Sequence, residues 1–119
     1  MSDGSSIVSV LEAGLRANAL RGTITANNVA NADTPGYKRA AVRFEDLLAD
    51  RLESGRDVDV KSLAGEVFKP LNTAAGSNGN DVSMEMEVGE MIKNGAMKKT
   101  YIRLLAKQYR QMAAAMQTG

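Results

Sequence analysis

The sequence predicts a mainly α-helical chain, in which long N- and C-terminal helices pair as a coiled-coil-like hairpin with a short helix and a poorly ordered or weakly β segment between them. An apolar stripe with a 3.5-residue period follows the C-terminal third of the chain, and a second stripe follows its N-terminal quarter. A composition of 44% hydrophobic but 4% aromatic residues suits thin helix packing. We expect one domain over 1–119, divided into segments 1–36, 37–80 and 81–119.

The first helical pattern runs from Ile7 to about Asn31, with Ser5 or Ser6 available as the N-cap. Asparagines interrupt its stripe near the end, where they either let the helix fray or set the register between paired helices. Spacing alone leaves both interpretations open. The stripe, which we expect to pack on the C-terminal helix, consists of Val10, Ala13, Ala17, Leu20, Ile24, Asn27 and Asn31.

A turn should follow this helix at 33–37. Pro35 disfavours a helical conformation at Thr34, and a Pro-Gly pair suits the centre of a type II turn. We therefore expect Gly36 to have a positive φ angle.

The middle segment is predicted to contain one short amphipathic helix from Val42 to Glu53. Two runs beyond it, at 57–60 and 66–68, alternate like strands and could pair as one weak hairpin. Residues 76–80 are expected to be a flexible connector. The apolar face of the short helix, which we expect to pack on the helical pair, consists of Phe44, Leu47, Leu48 and Leu52.

The second long helix is predicted from Asp81 to Gln117, with Asp81 or Ser83 as its N-cap. Acidic residues dominate its first turns and basic residues the rest, an order that favours the helix dipole. Gly95 and Lys98 interrupt its apolar stripe. The apolar positions of the stripe are Met84, Val88, Met91, Ile102, Leu105, Tyr109, Met112 and Met116.

The composition argues against an enzyme. The chain has no cysteine and no histidine, which removes thiolate nucleophiles, imidazole bases and the usual zinc ligands. We predict no catalytic, cofactor-binding or metal site. The N-terminus lacks a Sec-type signal pattern, and no run reaches the roughly 18 apolar residues of a membrane span.

A basic stretch on the C-terminal helix suggests an alternative, a small basic-faced helical module that binds nucleic acid or acts as an adaptor. Tyr101 and Tyr109 lie within it. Four acidic residues precede it on the same helix and the net charge is +1, so a solvated face explains it better. The basic residues are Lys93, Lys98, Lys99, Arg103, Lys107 and Arg110.

Two stripes at opposite ends of a short chain favour a structural subunit that assembles with neighbours. Each apolar member would contribute roughly 1.5–3 kcal/mol when fully covered. The residues that we expect at subunit interfaces are Leu20, Ile24, Asn27, Asn28, Asn31, Met91, Ile102, Leu105, Tyr109 and Met112.

Residues 27–39, NNVANADTPGYKR, resemble the signature of bacterial flagellar rod and hook axial proteins. The short length, the segment 44–46 and the segment 78–82 are similar to the proximal-rod members of that family. The resemblance implies a structural subunit of the flagellar basal body rod, which assembles through its terminal helices and transmits torque. It also implies interface roles for Pro35, Gly36 and Tyr37.

The same resemblance implies partners and a location. The partners would be other rod proteins, the adaptor that joins the rod to the membrane ring, and the flagellar type III export gate. The chain would reach the periplasm-spanning rod without a cleaved signal peptide. Phe44 and Leu48 resemble an export-gate recognition element, although their spacing alone favours packing over export.

Overall fold

The computed structural model describes residues 3–54 and 63–118, with side chains for 7–54 and 63–117. The described chain is elongated, with principal extents of 65 × 28 × 15 Å, and it is mainly helical as predicted. Its elements in chain order are helix α1 (Asp3–Ala30), strand β1 (Ala41–Arg43), helix α2 (Glu45–Glu53), strand β2 (Glu66–Phe68) and helix α3 (Met84–Thr118).

The two long helices pack against each other in opposite directions. Near one end of the pair Glu12 of α1 contacts Tyr109 of α3, and near the other end Asn28 contacts Glu87. The predicted pairing of the terminal helices is therefore confirmed. At 1.5 Å per residue, the 35 residues of α3 form a rod of about 52 Å.

The face of α3 that meets α1 differs from the predicted one. Leu105 is buried there, but the other apolar members of the predicted stripe are between 39% and 80% exposed. Glu87, Asn94 and Tyr101 face α1 instead. The expectation that the two apolar stripes pack on each other is thus wrong, because polar side chains that satisfy one another across the helix pair occupy the contact.

A small apolar cluster lies beside the middle of α1. Ala13 and Ala17 are buried there together with Phe44 and Leu63. Val10, Leu47 and Leu48 pack against this cluster. The predicted packing role of the short amphipathic segment is therefore confirmed for Phe44, Leu47 and Leu48. Leu52 is 58% exposed and its predicted place on the packed face is wrong, because α2 extends one turn beyond the cluster.

The middle segment contains a two-stranded antiparallel sheet. β1 pairs with β2 in the register Ala41↔Phe68, Val42↔Val67 and Arg43↔Glu66. The strand at 66–68 is confirmed, whereas the predicted helix does not start at Val42, which is buried in a strand. The strand pattern at 57–60 lies outside the described residues.

The predicted turn after α1 is confirmed. The Tyr37 amide donates to the Thr34 carbonyl at 3.2 Å, and Gly36 has a φ of 75°. These are the features of a type II turn, in which glycine takes the left-handed position.

The starts of the long helices differ slightly from the predicted ones. α1 begins at Asp3, before Ile7, and α3 begins at Met84. Ser83 is the N-cap of α3, since its Oγ accepts a hydrogen bond from the Met86 amide at 3.3 Å. Asp81, the alternative N-cap, lies two residues before Ser83 and does not cap the helix. In the described part of the chain, no helix combines the length and the apolar character that a membrane crossing requires.

Candidate assembly interface

The residues after α1 and those before α3 form a polar junction. We use this name for Asn28, Asn31, Thr34, Tyr37, Arg39, Asn80, Asp81 and Glu87. Five of its eight members belong to the 27–39 signature. The signature therefore has a clear task within the folded chain, which is to fasten the turn to the start of α3.

Asn28 lies at the centre of the junction and is fully buried. Its Nδ2 donates to the Ala40 carbonyl at 2.8 Å and to Glu87 Oε1 at 3.0 Å. Its Oδ1 accepts from the Tyr37 hydroxyl at 3.1 Å and from the Ala40 amide at 2.9 Å. These four hydrogen bonds use both donors and both lone pairs of the amide. Asn28 thus fixes a tertiary position, and α1 does not fray there.

Arg39 and Glu87 form a buried ion pair across the junction. Arg39 Nε lies 2.7 Å from Glu87 Oε2, and the side chains are 8% and 0% exposed. The Arg39 amide also donates to Asp81 Oδ1 at 2.6 Å. Because a buried charge is stable only when it is paired and hydrogen-bonded, each of these groups requires the others.

Asn80 ties the connector to the end of α1. Its Nδ2 donates to the Asn31 carbonyl at 2.8 Å and to the Thr34 carbonyl at 2.7 Å. Gly79 has a φ of 81°, and a Cβ atom there would lie 3.4 Å from the Cα of Gly36. The two glycines therefore permit a close approach of the two backbone segments.

Asn18 and Asn94 set the register of the two long helices. Asn18 Nδ2 donates to Asn94 Oδ1 at 2.7 Å and to its carbonyl at 3.0 Å, and Asn94 Nδ2 donates to the Asn18 carbonyl at 3.0 Å. This pair was not predicted from the sequence. The sequence signal for it is the position of Asn18 within the run Ala17–Leu20, where an asparagine interrupts apolar residues.

A second contact fixes how closely the helices approach. The Tyr101 ring lies against α1 at Gly14, where a Cβ atom would fall 2.5 Å from the Tyr101 Cζ. Burial and the nearby negative charge of Glu45 raise the pKa of Tyr101. Nearer the C-terminal end of α3, the Tyr109 hydroxyl donates a 3.0 Å hydrogen bond to Glu12, which raises the pKa of Tyr109.

Arg21 of α1 holds the start of α2. It forms an ion pair with Glu45 and donates to the Val42 carbonyl at 3.4 Å. Burial of the Glu45 carboxylate opposes its charge, but the hydrogen bond and attraction from Arg21, with a smaller contribution from Lys93, more than offset burial. The pKa of Glu45 is therefore lowered.

The predicted interface residues fall into two groups. Asn28 and Leu105 are buried within the chain, and Leu20, Ile24, Asn31 and Tyr37 are half-buried. The exposed members are Asn27, Pro35, Gly36, Met91, Ile102, Tyr109 and Met112. The predicted export residues lie in the cluster beside α1, with Phe44 buried and Leu48 half-buried.

Most of the exposed apolar side chains of α3 share one side of the helix, which we call the α3 strip. Its members recur at spacings of three, four, seven and eleven residues, which are close to whole turns of an α-helix. None is less than 39% exposed. The α3 strip consists of Met84, Val88, Met91, Ile102, Tyr109, Met112 and Met116.

Comparison with known proteins supports the resemblance. A family model described as flagella basal body rod protein matches residues 9–38. The chain is similar to the flagellar basal body rod protein FlgB of Bacillus subtilis, with 32% identity over 103 residues that cover 79% of this chain and 80% of the relative.

Two further FlgB proteins are similar to the chain. That of Aquifex aeolicus is 34% identical over 89 residues, covering 70% of each chain. That of Escherichia coli is 25% identical over 122 residues, covering 88% of each. With this identity and coverage, the chain belongs to the FlgB family of flagellar basal body rod proteins, the structural subunits of the proximal rod.

Proposed function

We propose that the α3 strip is the surface through which this structural rod subunit assembles with its neighbours. The observation that carries the proposal is the distribution of apolar side chains. In the described residues six apolar side chains are buried, whereas the α3 strip alone exposes seven. The α3 strip has two parts, one on either side of Gly95 and Lys98, and exposed apolar patches of this kind mark interaction sites.

The size of the α3 strip suits a binding surface. Fully covering one of its side chains is worth roughly 1.5–3 kcal/mol. Because these side chains are already about half covered by their own chain, burying all seven is worth roughly 5–10 kcal/mol, which is comparable to the roughly 4–15 kcal/mol that association costs. The α3 strip therefore supplies a large share of the free energy needed for assembly with other rod components, which family membership implies as partners.

The polar junction supports this surface from inside the chain. Asn28 and the Arg39–Glu87 pair hold the start of α3, and Asn18 holds its register on α1. We assign these residues a positioning role. Leu105 belongs with them, because it is buried within the chain.

The assembly proposal is tested by replacing Ile102 with Asp. Ile102 is 49% exposed, so the variant should keep the helical circular dichroism of the wild type. We expect export of the variant without incorporation into the rod, and cells that do not swim. Thr100→Asp is the matched control, since Thr100 is an exposed α3 residue outside the α3 strip. Incorporation of both variants at wild-type levels would disprove the proposal.

We further propose that the chain is exported without a cleaved signal peptide, and that Phe44 and Leu48 contact the export gate. Both side chains pack in the apolar cluster, so the gate would read them on the unfolded chain. The adaptor between rod and membrane ring would bind the assembled subunit. These partners follow from the family resemblance.

Secretion measurements in cells that lack a completed rod test the export element. Phe44→Ala should lower the amount of secreted chain several-fold, because it removes the aromatic anchor. Leu63→Ala is the control, since Leu63 is equally buried in the cluster but lies outside the element. Equal secretion of the two variants would show that Phe44 serves packing alone.

The nucleic-acid-binding or adaptor alternative receives no support from the comparisons, which match rod proteins. A filter-binding assay at low salt checks it directly. Affinity for nucleic acid that falls steeply with salt would revive the alternative.

A further inference from the structure

Three acidic side chains form the outward face of α2. Asp46, Asp50 and Glu53 are exposed and lie at spacings of four and three residues, so they share one side of the helix. This side is opposite Leu47 and Leu48, which pack on the apolar cluster. None of the three forms an ion pair with another described residue. We call them the acidic face.

A basic face with related spacing lies on the outward side of α3. Lys99, Arg103, Lys107 and Arg110 are exposed at spacings of four, four and three residues. Within residues 3–54 and 63–118 these four side chains have no ion-pair partner either. The last three repeat the four–three spacing of the acidic face.

The order of acidic and basic residues along α3 favours its dipole, but the dipole does not stabilise the basic face itself. The dipole effect is confined to the first and last turns of a helix. The basic face ends at Arg110, two turns before α3 ends at Thr118, and the last turn of α3 contains no basic residue. Asp50 and Glu53 lie in the C-terminal half of α2, where the dipole disfavours anions. Like charges three or four residues apart also destabilise an isolated helix.

We propose that the basic face of α3 in one copy of this chain binds the acidic face of α2 in a second copy. The inference rests on the proposed function and adds the partner and the charged border of the interface. Both faces repeat over seven residues, about 10 Å of helix, so three acidic residues meet three basic ones. Such complementarity fixes register and excludes wrong partners.

The contact is heterologous, because two different surfaces of the same chain meet. A copy bound through its basic face still offers its acidic face to the next copy. Repetition of this contact produces a ring or an open helical array, in contrast to the closed dimer that a self-complementary patch gives. The α3 strip adjoins the basic face and supplies apolar contact area to the same neighbour.

Charge reversal on the full-length chain tests the inference. One variant replaces Asp46, Asp50 and Glu53 with Lys, and a second replaces Arg103, Lys107 and Arg110 with Glu. Sedimentation velocity over a range of concentrations should show self-association of the wild type that weakens with salt. Each variant alone should associate at least tenfold more weakly, with an unchanged circular dichroism spectrum because all six positions are exposed.

Recombining the two changes gives the decisive result. An equimolar mixture of the variants should associate again, and so should one chain that carries both changes. The doubly reversed chain has the wild-type net charge of +1, so overall repulsion cannot account for its behaviour. In cells, the doubly reversed chain should restore the swimming that each single set abolishes.

Several outcomes would overturn the inference. A wild-type chain that stays monomeric, variants that associate as well as the wild type, or a mixture that stays dissociated would each do so. Nucleic-acid binding that is lost on reversal of the basic face would also overturn it, if reversal of the acidic face leaves both that binding and self-association unchanged. The Ile102→Asp experiment separates these failures from failure of the proposed function, because it tests the α3 strip without changing either charged face.

Discussion

The replacement Glu87→Gln should destabilise the fold far more than any exposed charge change of the same kind. Glu87 is fully buried and lies 2.7 Å from Arg39 Nε and 3.0 Å from Asn28 Nδ2. Glutamine has the same shape but no charge, and one of its oxygens becomes an NH₂ donor. The variant therefore removes the negative charge that pairs with the buried Arg39 guanidinium. It also places the new NH₂ donor against an N–H donor of either Asn28 or Arg39.

The expected magnitude follows from burial. Removing one partner of a buried ion pair costs about 3–5 kcal/mol. The matched control is Glu66→Gln, which breaks the 3.0 Å pair between Arg43 and Glu66, whose side chains are 41% and 54% exposed. An exposed pair contributes about 0–1 kcal/mol. The two variants should therefore differ in their free energy of unfolding by at least about 2 kcal/mol.

Urea unfolding followed by circular dichroism at 222 nm measures this difference at neutral pH. If Glu87→Gln abolishes the cooperative unfolding transition, its helix content without urea is compared with that of Glu66→Gln. Amide hydrogen exchange localises the effect, since the amides around Tyr37 and Asp81 should lose protection first. Equal unfolding free energies for the two variants would refute the conclusion that the buried pair holds the junction together.

The remaining predictions concern the helix pair and the start of α2. Gly14→Ala should lower the melting temperature, because the new Cβ atom would overlap the Tyr101 ring. Such overpacking costs about 1–3 kcal/mol, whereas replacing glycine by alanine in a helix gains about 1 kcal/mol. Gly22→Ala should raise the melting temperature instead, since its Cβ atom has ordinary contacts, and a fall for both variants would contradict the packing argument. The pKa of Glu45 is lowered in the folded state, so its ionised carboxylate stabilises the fold at pH values above the usual pKa of 4.5. This stabilisation is lost as the pH falls through the lower pKa of the folded state. A series of urea titrations from neutral pH to acid should show this loss in the wild type and not in Glu45→Gln, and an identical pH dependence of the two chains would exclude the role of the Arg21 pair.

Much of the fold follows from local patterns. The Pro35-Gly36 pair specifies its turn because proline fixes one φ angle and glycine permits the positive one. Ser83 caps α3 because its hydroxyl satisfies an amide that the helix leaves free. These effects act over a few residues, so a single sequence is sufficient to predict them.

The middle segment was harder to predict because its structure depends on distant partners. Val42 has an apolar position that suits either a helix or a strand, and pairing with Val67 selects the strand. Leu52 continues the apolar pattern of α2, but no part of the cluster reaches it. A local pattern contains no information about where a core ends.

The sequence by itself determined that this protein consists mainly of two long paired helices with a thin core, and it contained the signature that links the chain to flagellar rod proteins. Only the tertiary structure decided which side of each helix faces inward. An apolar stripe predicts burial, yet here Asn18, Asn28, Asn94 and Glu87 occupy the contact, because hydrogen bonds made across it satisfy groups that could not otherwise be buried. These polar contacts occupy the interior of the helix pair, so each side chain of the α3 strip stays at least 39% exposed.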